Sequence, residues 1–537
     1  MKKEKNMELN NNGIGVMRRM GEGEIGARVP VFLCHERASC EIAEDFLLPE
    51  YLPEIRRVLR IGAVISRPSR YLAATSLKLS GAVEYNLLYV GADGRVHSTA
   101  FTDEYEMNLP FSEDADRDPD CELRVLADVR AGDVICKVTG ARKMNVRCRI
   151  CAEAKVVGDL FARGGADIPS ENHVQRLIKS KEYCREMFGE NNEMEAIDEL
   201  ELPLGEKYVC SDCRVFVEDA TAHEGYAECR GTVIMRHIIE KTDGELYDVV
   251  RKIPFNEIVE VDGMTSGMPS VAFGRCGAIV KSENGDDEEK PSITVSAHIC
   301  LVAKGYCKAQ MRYVKDAFST AYESGNEANS IELPTFFACG NRNLTISETK
   351  SVGEAIGVAD VSEARVINAI AEAVADGVDL LESGHYAING KCRFYVLLAR
   401  GEGEDCEYSS ADIEIPFKYE CSEGGELPTS YEISLEAVDP RVRIDGDKVD
   451  VGCELLIAYS LCGSDTVEYI ENVKMGSAIA GKKRGYTVCY PDKNESLWSI
   501  AKKYRACVDA TARGNGIDAS LDADSAALTE DVKYMIV

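Results

Sequence analysis

Val146-Arg147-Cys148-Arg149-Ile150-Cys151-Ala152-Glu153-Ala154-Lys155-Val156 alternates apolar and polar side chains with a period of two. Successive side chains of a strand point to opposite faces, so this run reads as one strand of a half-buried antiparallel sheet. Val146, Cys148, Ile150, Ala152, Ala154 and Val156 are expected to face a core. Arg147, Arg149, Glu153 and Lys155 are expected to face water. The same alternation returns at Ile293, Val295, Ala297, Ile299 and Leu301, and again at Val449, Val451, Cys453, Leu455 and Ile457.

Each of these strands is preceded by a hairpin signal. Gly81-Ala82-Val83-Glu84-Tyr85-Asn86-Leu87-Leu88-Tyr89-Val90 runs into a Gly-Ala-Asp-Gly turn and closes at Leu109-Pro110-Phe111. Gly231 to Ile239 runs into Lys241-Thr242-Asp243-Gly244 and closes at Ile253-Pro254-Phe255. Gly390 to Leu398 runs into a Gly/Glu turn and closes at Ile415-Pro416-Phe417. Asp and Gly tolerate positive φ and so favour tight turns. Proline cannot donate to a ladder, so each closing proline should mark a strand end or an edge strand. A period of roughly 150 residues is too long for a solenoid and predicts three related domains, each a small antiparallel β-sandwich or barrel.

The fold class expected is mainly β: three repeated sandwich- or barrel-like domains over 41–160, 196–305 and 346–475. An N-terminal segment occupies 1–40. Connectors are expected over 161–195 and 306–345, helical from Ser170 (a plausible N-cap) to Phe188 and from Tyr306 to Tyr322. Ser282 to Lys290 is expected to be a solvated loop. Gly476 to Arg484 is small, flexible and then basic, and reads as a linker to a module at 485–537.

In that module Leu497, Ile500, Ala501 and Tyr504 recur at helical spacing, Ser496 is placed to cap the helix, and Trp498 falls off the core face and is expected at the surface. A second short helix is expected from about Val508 to Arg513. It should end at Asn515-Gly516, which accept the left-handed conformation, and Lys533 to Val537 should close the unit as a strand.

Glu495-Ser496-Leu497-Trp498-Ser499-Ile500-Ala501-Lys502-Lys503-Tyr504 resembles the core of LysM domains, and the order strand, helix, helix, strand is that family's βααβ fold. The middle of the chain resembles the SPOCS (DUF3794-type) domains found in several copies in sporulation proteins of spore-forming Firmicutes. That resemblance is carried by Phe46 to Ile55, by the three hairpins and by Val314-Lys315-Asp316-Ala317-Phe318-Ser319-Thr320. The LysM resemblance implies binding of N-acetylglucosamine-containing glycans, such as peptidoglycan, at two loops. The residues so nominated are Asp492, Asn494, Glu495, Ser496 and Leu497 before the first helix, with Asn515, Gly516 and Ile517 after the second. Backbone amides and carbonyls would bond the acetamido groups there, and apolar side chains would pack on sugar faces. The sequence departs from the family where Asn494-Glu495-Ser496 replaces Gly-Asp-Thr, and where Pro491 falls at an expected Val.

The 537 residues carry a formal net charge of −30 and 21 cysteines. Such acidity repels nucleic acid, and an odd cysteine count argues for reduced thiols rather than a closed disulfide set. Met1 to Gly13 is polar with no apolar run behind it, so no signal peptide is expected. No run of about 18 apolar residues predicts a membrane span. Cys148/Cys151 and Cys210/Cys213 are Cys-x-x-Cys pairs, but they lie far apart; Cys148 and Cys151 lie on a strand, where a spacing of three puts them on opposite faces, while Cys210/Cys213, nearer a strand or turn, is less easily excluded. Gly21-Glu22-Gly23-Glu24-Ile25-Gly26 follows no strand and opens no helix, so it is not read as a nucleotide loop. Histidines such as His237 and His298 are scattered singly and read as sheet-surface or satisfied core residues.

No cofactor, metal site or catalytic residue is expected. The reading is a non-enzymatic spore-envelope (coat or cortex) assembly or tethering protein in the mother-cell cytoplasm at the forespore surface, with spore-envelope morphogenetic proteins as partners of the β-domains. Two alternatives stand beside it: a cytosolic interaction scaffold whose LysM-like tail binds no sugar, and a LysM-targeted wall hydrolase.

Overall fold

A computed structural model describes residues 25–111, 123–168, 173–284, 292–355, 364–401, 406–479, 486–492, 495–518, 522–525 and 535–537. The chain is mainly β, built of antiparallel sheets. The first seven strands are β1 (Ala27–Leu47), β2 (Ile55–Ile65), β3 (Ser69–Leu72), β4 (Ser76–Gly91), β5 (Val96–Pro110), β6 (Arg124–Val138) and β7 (Lys143–Ala162). They form one sheet of order β1-β7-β6 and a second in which β2 and β3 lie along one side of β4 and β5 along the other. Pro68, which cannot donate to a ladder, lies in the gap between β2 and β3.

Six strands follow: β8 (Val174–Glu201), β9 (Lys207–His223), β10 (Tyr226–Glu240), β11 (Leu246–Glu260), β12 (Ser270–Asn284) and β13 (Ser292–Ser319). Their sheets are β8-β13-β12 and β9-β10-β11. Then come β14 (Tyr322–Ser351), the one-turn α1 (Val352–Ala355), β15 (Ala364–Leu380), β16 (His385–Arg400), β17 (Glu407–Gly424), β18 (Ser430–Asp445) and β19 (Lys448–Ala478). Their sheets are β14-β19-β18 and β15-β16-β17. The six large sheets thus fall into three pairs of one strand order.

Within each pair the alternating strand faces the hairpin strand. Cys148 and Ile150 share a buried cluster with Tyr85 and Leu87, Ile299 and Leu301 with Val233 and Met235, and Cys453 and Leu455 with Phe394 and Val396. The hairpin glycines have a steric reason. Gly231 and Gly390 lie opposite Phe255 and Phe417, whose rings come within 2.6 Å of where a Cβ would sit. Gly81 lies opposite Tyr105 rather than Phe111, while the ladder of the first hairpin runs on to Ser76 opposite Pro110. Pro254 and Pro416 lie in the edge strands β11 and β17, and Pro110 ends the edge strand β5.

Both helical connectors are overturned. Residues 174–188 belong to β8, and 306–319 to β13 with β14 beginning at Tyr322. These two strands pair with each other along nearly their whole length, so long-range ladder bonds outweigh the local helix preference of a polar segment. Ser170 lies outside the described residues. β1 begins at Ala27, inside the stretch expected to precede the first domain. Ser282 to Asn284 end β12, and Gly476 to Ala478 end β19 rather than forming a linker; 285–290 and 480–484 lie outside the described residues. Gly26 of the Gly-rich run donates its N–H to Arg312 O at 2.8 Å.

The three sheet pairs meet around a common centre. A bulge sets Leu59, Val209 and Ile367 out of register at the same point of their strands. These residues join Leu88, Ile238 and Leu397, each seven residues after its hairpin glycine, in one buried cluster. Further along, Ala162, Met311 and Val467, at matching distances from the first ladder pair of β1/β7, β8/β13 and β14/β19, form another.

Between these layers lies a buried set of charges. Lys155 and Lys304 occupy the same register position on β7 and β13 and are only 5% and 1% exposed. Lys304 reaches Glu186 at 2.9 Å and also pairs with Glu432; Lys155 pairs with Glu432 and lies 3.9 Å from Glu186. Lys155, read as a water-facing residue, is therefore buried by another sheet pair, not by its own.

Candidate functional site

The C-terminal residues form the expected order: β20 (Val488–Cys489), α2 (Leu497–Tyr504), α3 (Val508–Gly514) and β21 (Met535–Ile536). β20 pairs antiparallel with β21, and Thr487 and Val537 exchange backbone hydrogen bonds at 2.8 and 2.9 Å. Ser496 caps α2, its Oγ accepting from Ser499 N at 3.2 Å. Gly516, not Asn515, takes the left-handed conformation after α3, with φ of 70°.

Most of the nominated glycan-binding side chains are engaged within the module. Leu497 is buried with Ile500, Ala512 and Met535, and Ile517 packs on the same cluster, which joins the two loops through the core. Asn515 Nδ2 donates to Thr511 O and Ile536 O, both at 2.7 Å, while its Oδ1 accepts from Ile536 N at 2.8 Å. Glu495 accepts from Asp492 N at 3.0 Å and lies 3.4 Å from Lys503. Asp492 and Gly516 are exposed. Asn494 lies outside the described residues. A ligand at these loops would meet backbone groups around Asp492 and Gly516 and the half-buried Ile517, with few free side-chain donors or acceptors.

Trp498 is 5% exposed and Tyr504 36%, the reverse of the sequence expectation. The cause lies outside the module. Trp498 packs edge-on against Phe318 with ring centroids 5.0 Å apart, in a cluster with Leu177 and Ala501. Its Nε1 donates to Asp316 Oδ2 at 2.8 Å, and Lys502 Nζ reaches both oxygens of Asp316 at 2.6 and 2.7 Å. Lys179 pairs with Asp522 at 2.5 Å, Lys315 with Asp524 at 2.8 Å, and Val508 N donates to Gln175 Oε1 at 3.1 Å. The hydrogen bond from Lys179 holds the Asp522 carboxyl below its ordinary range. The module is thus docked on the far end of the β8/β13 ladder, through a helix face, while Asp492 and Gly516 stay exposed. A lone tryptophan beside a helical stripe gave no sequence signal for a partner on another sheet.

Elsewhere the chemistry is enclosed. All twenty cysteines among the described residues are free thiols. Cys148 is buried and Cys151 half-buried on opposite faces of β7, and burial pushes the Cys148 thiol up to about 11. Among the described residues no group of three His, Cys, Asp or Glu side chains is placed to hold a metal ion, and no helix is long and apolar enough to cross a membrane.

One constellation escaped the sequence. His237 Nδ1 lies 2.5 Å from Ser211 Oγ, and its Nε2 lies 3.1 Å from Asp198 Oδ2. Serine, histidine and carboxylate in a row suggest a nucleophile and its base. Here the imidazole is fully enclosed, at 0% exposure, and Tyr208 donates to Ser211 Oγ at 2.8 Å. Burial, against the pull of Asp198, lowers the His237 pKa and favours the neutral ring. The set ties β8 of one sheet to β9 and β10 of the other, which is the work of a buried polar clasp.

Scans against protein-family models, curated proteins and solved structures find no match for this chain.

Proposed function

We propose that this is a non-enzymatic assembly or tethering protein of the bacterial spore envelope, in which three SPOCS-like β-sandwich domains bind protein partners and a LysM-type module binds peptidoglycan glycan. The observation that carries the reading is the strand–helix–helix–strand unit, capped at Ser496 and docked by a helix face while Asp492 and Gly516 stay exposed. The recurrence of one strand order in three sheet pairs supports reading them as copies of a single domain. The enclosure of the Asp198–His237–Ser211 set speaks against the hydrolase alternative, since the imidazole is 0% exposed among the described residues.

The test is sedimentation of the full chain with purified spore peptidoglycan, beside a variant carrying Gly516→Trp, which fills the space over the loops. Retention that the variant loses is the expected result. Equal sedimentation of both proteins would refute the site, and no sedimentation of either would refute the glycan partner. A fluorescent fusion should ring the forespore in sporulating cells, and diffuse signal would argue against the envelope. The inward engagement of Ser496, Leu497 and Asn515 favours a second reading, a docking module that has lost sugar. Titration with chito-oligosaccharides separates the two.

A further inference from the structure

Between the second and third sheet pairs the surface opens into a cavity of about 410 Å³, within the usual size of small-ligand sites. Two irregularities form it. β15 bulges at Ile367, and β18 skips from Val438 to Arg441, with Asp439 left-handed at φ of 47°. Bulges re-aim side chains and recur beside binding sites. The first turns Ile367 into the central cluster and leaves the next residue, Asn368, lining the cavity.

At the matching position of the first sheet pair, Arg60 lies 3.8 Å from Asp212 of its neighbour. Asn368 has no such partner. It is 5% exposed, and its Nδ2 has no acceptor among the described residues. A buried donor left unpaired is costly, and a native site that keeps one calls for an explanation.

The rest of the lining narrows the ligand. Arg443 has no ion pair among the described residues, while Arg236 pairs with Asp248 at 2.9 Å and Asp450 accepts from Thr349 at 2.6 Å. The lining mixes three guanidiniums, Arg236, Arg441 (paired with Glu454 at 3.0 Å) and Arg443, with the carboxylates of Asp248 and Asp450, so a free anion meets repulsion from the aspartates and a cation from the arginines. A hydroxyl donates and accepts, and so satisfies both sets. Val366 and Val442 add apolar surface for the face of a ring.

We propose that this cavity binds an uncharged, hydroxyl-rich ligand of one or two sugar rings, at a site separate from the C-terminal loops. The test is hydrogen exchange of the full chain with millimolar cellobiose, maltose or chitobiose, read on backbone amides 364–371 and 438–445. At least one sugar should protect both segments. Asn368→Leu and Arg443→Ala should each weaken that protection on the order of tenfold. Amides 486–518 report the tail independently, so binding there is not mistaken for binding here. Protection by none of the sugars, protection that survives both substitutions, or protection by phosphate or citrate in their place would overturn the proposal. Should Asn368→Leu fail to fold, Arg443→Ala, at an exposed side chain, carries the test alone.

Discussion

Replacing Asp316 by alanine should release the C-terminal module from the β8/β13 ladder. The carboxylate accepts from Trp498 Nε1 and from Lys502 Nζ. Its loss strands a buried indole N–H, at about 1–3 kcal/mol. The Lys502 pair adds only about 0.2–1 kcal/mol, since that side chain is 45% exposed. A total of about 1–4 kcal/mol shifts the docked-to-undocked ratio by roughly 5- to 1000-fold. Trp498 is the chain's only tryptophan, so its emission reports docking directly. Asp316→Ala should red-shift the emission and open it to iodide quenching, while Lys502→Met should change little. Asp316 also accepts from Asn326 Nδ2 at 2.9 Å, so Asn326→Ala controls for loss of that local contact. Unchanged emission and quenching in Asp316→Ala, with the protein folded, would refute the view that this carboxylate holds the module.

Lys304→Met should destabilise the chain by about 3–5 kcal/mol in denaturant titration, because Glu186 and Glu432 then share only Lys155; a change under about 1 kcal/mol would show that the buried charges are not coupled. Burial pushes the Glu432 carboxyl up, but Lys304 and Lys155 outweigh it and set it at about 2 against an ordinary 4.5. A folded value below the unfolded one gives stability that is full above pH 4.5 and lost as pH falls toward 2. Glu432→Gln should therefore be less stable at neutral pH and lose stability less steeply over that range; parallel acid titrations would contradict the assignment. Gly231→Ala places a Cβ 1.9 Å from Phe216 O and 2.6 Å from the Phe255 ring, and should cost about 1–3 kcal/mol or more by thermal melting, whereas an unchanged melting temperature would mean that the hairpin has room to give.

The alternating strands were legible because one side of each meets its own core, and burial follows the period wherever that holds. Cys148, Ala297 and Cys453 are all fully buried as the pattern requires. The same rule failed at Lys155, where the opposite face is covered by a different sheet pair. It failed again at Trp498, whose surroundings include Phe318 and Leu177, residues far away in sequence. Segments 174–188 and 306–319 carry polar, helix-tolerant residues, and only their pairing with each other commits them to strands. At the nominated glycan loops the sequence placed Ser496 correctly as a cap, but could not show that Asn515 is spent on Ile536.

Side-chain period, turn residues and capping residues act over a few neighbours. They were enough to specify the β class, the hairpins with their glycines and prolines, and the two short helices of the tail. What joins three sheet pairs at one centre, buries Lys155 and Lys304 between carboxylates, opens the cavity beside Asn368 and seats Trp498 on Asp316 depends on groups far apart in the chain, such as Lys304 and Glu186, 118 positions apart, and Asp316 and Trp498, 182 apart. Those contacts are made by shape and charge across surfaces that no local pattern encodes, and the tertiary structure alone decided them.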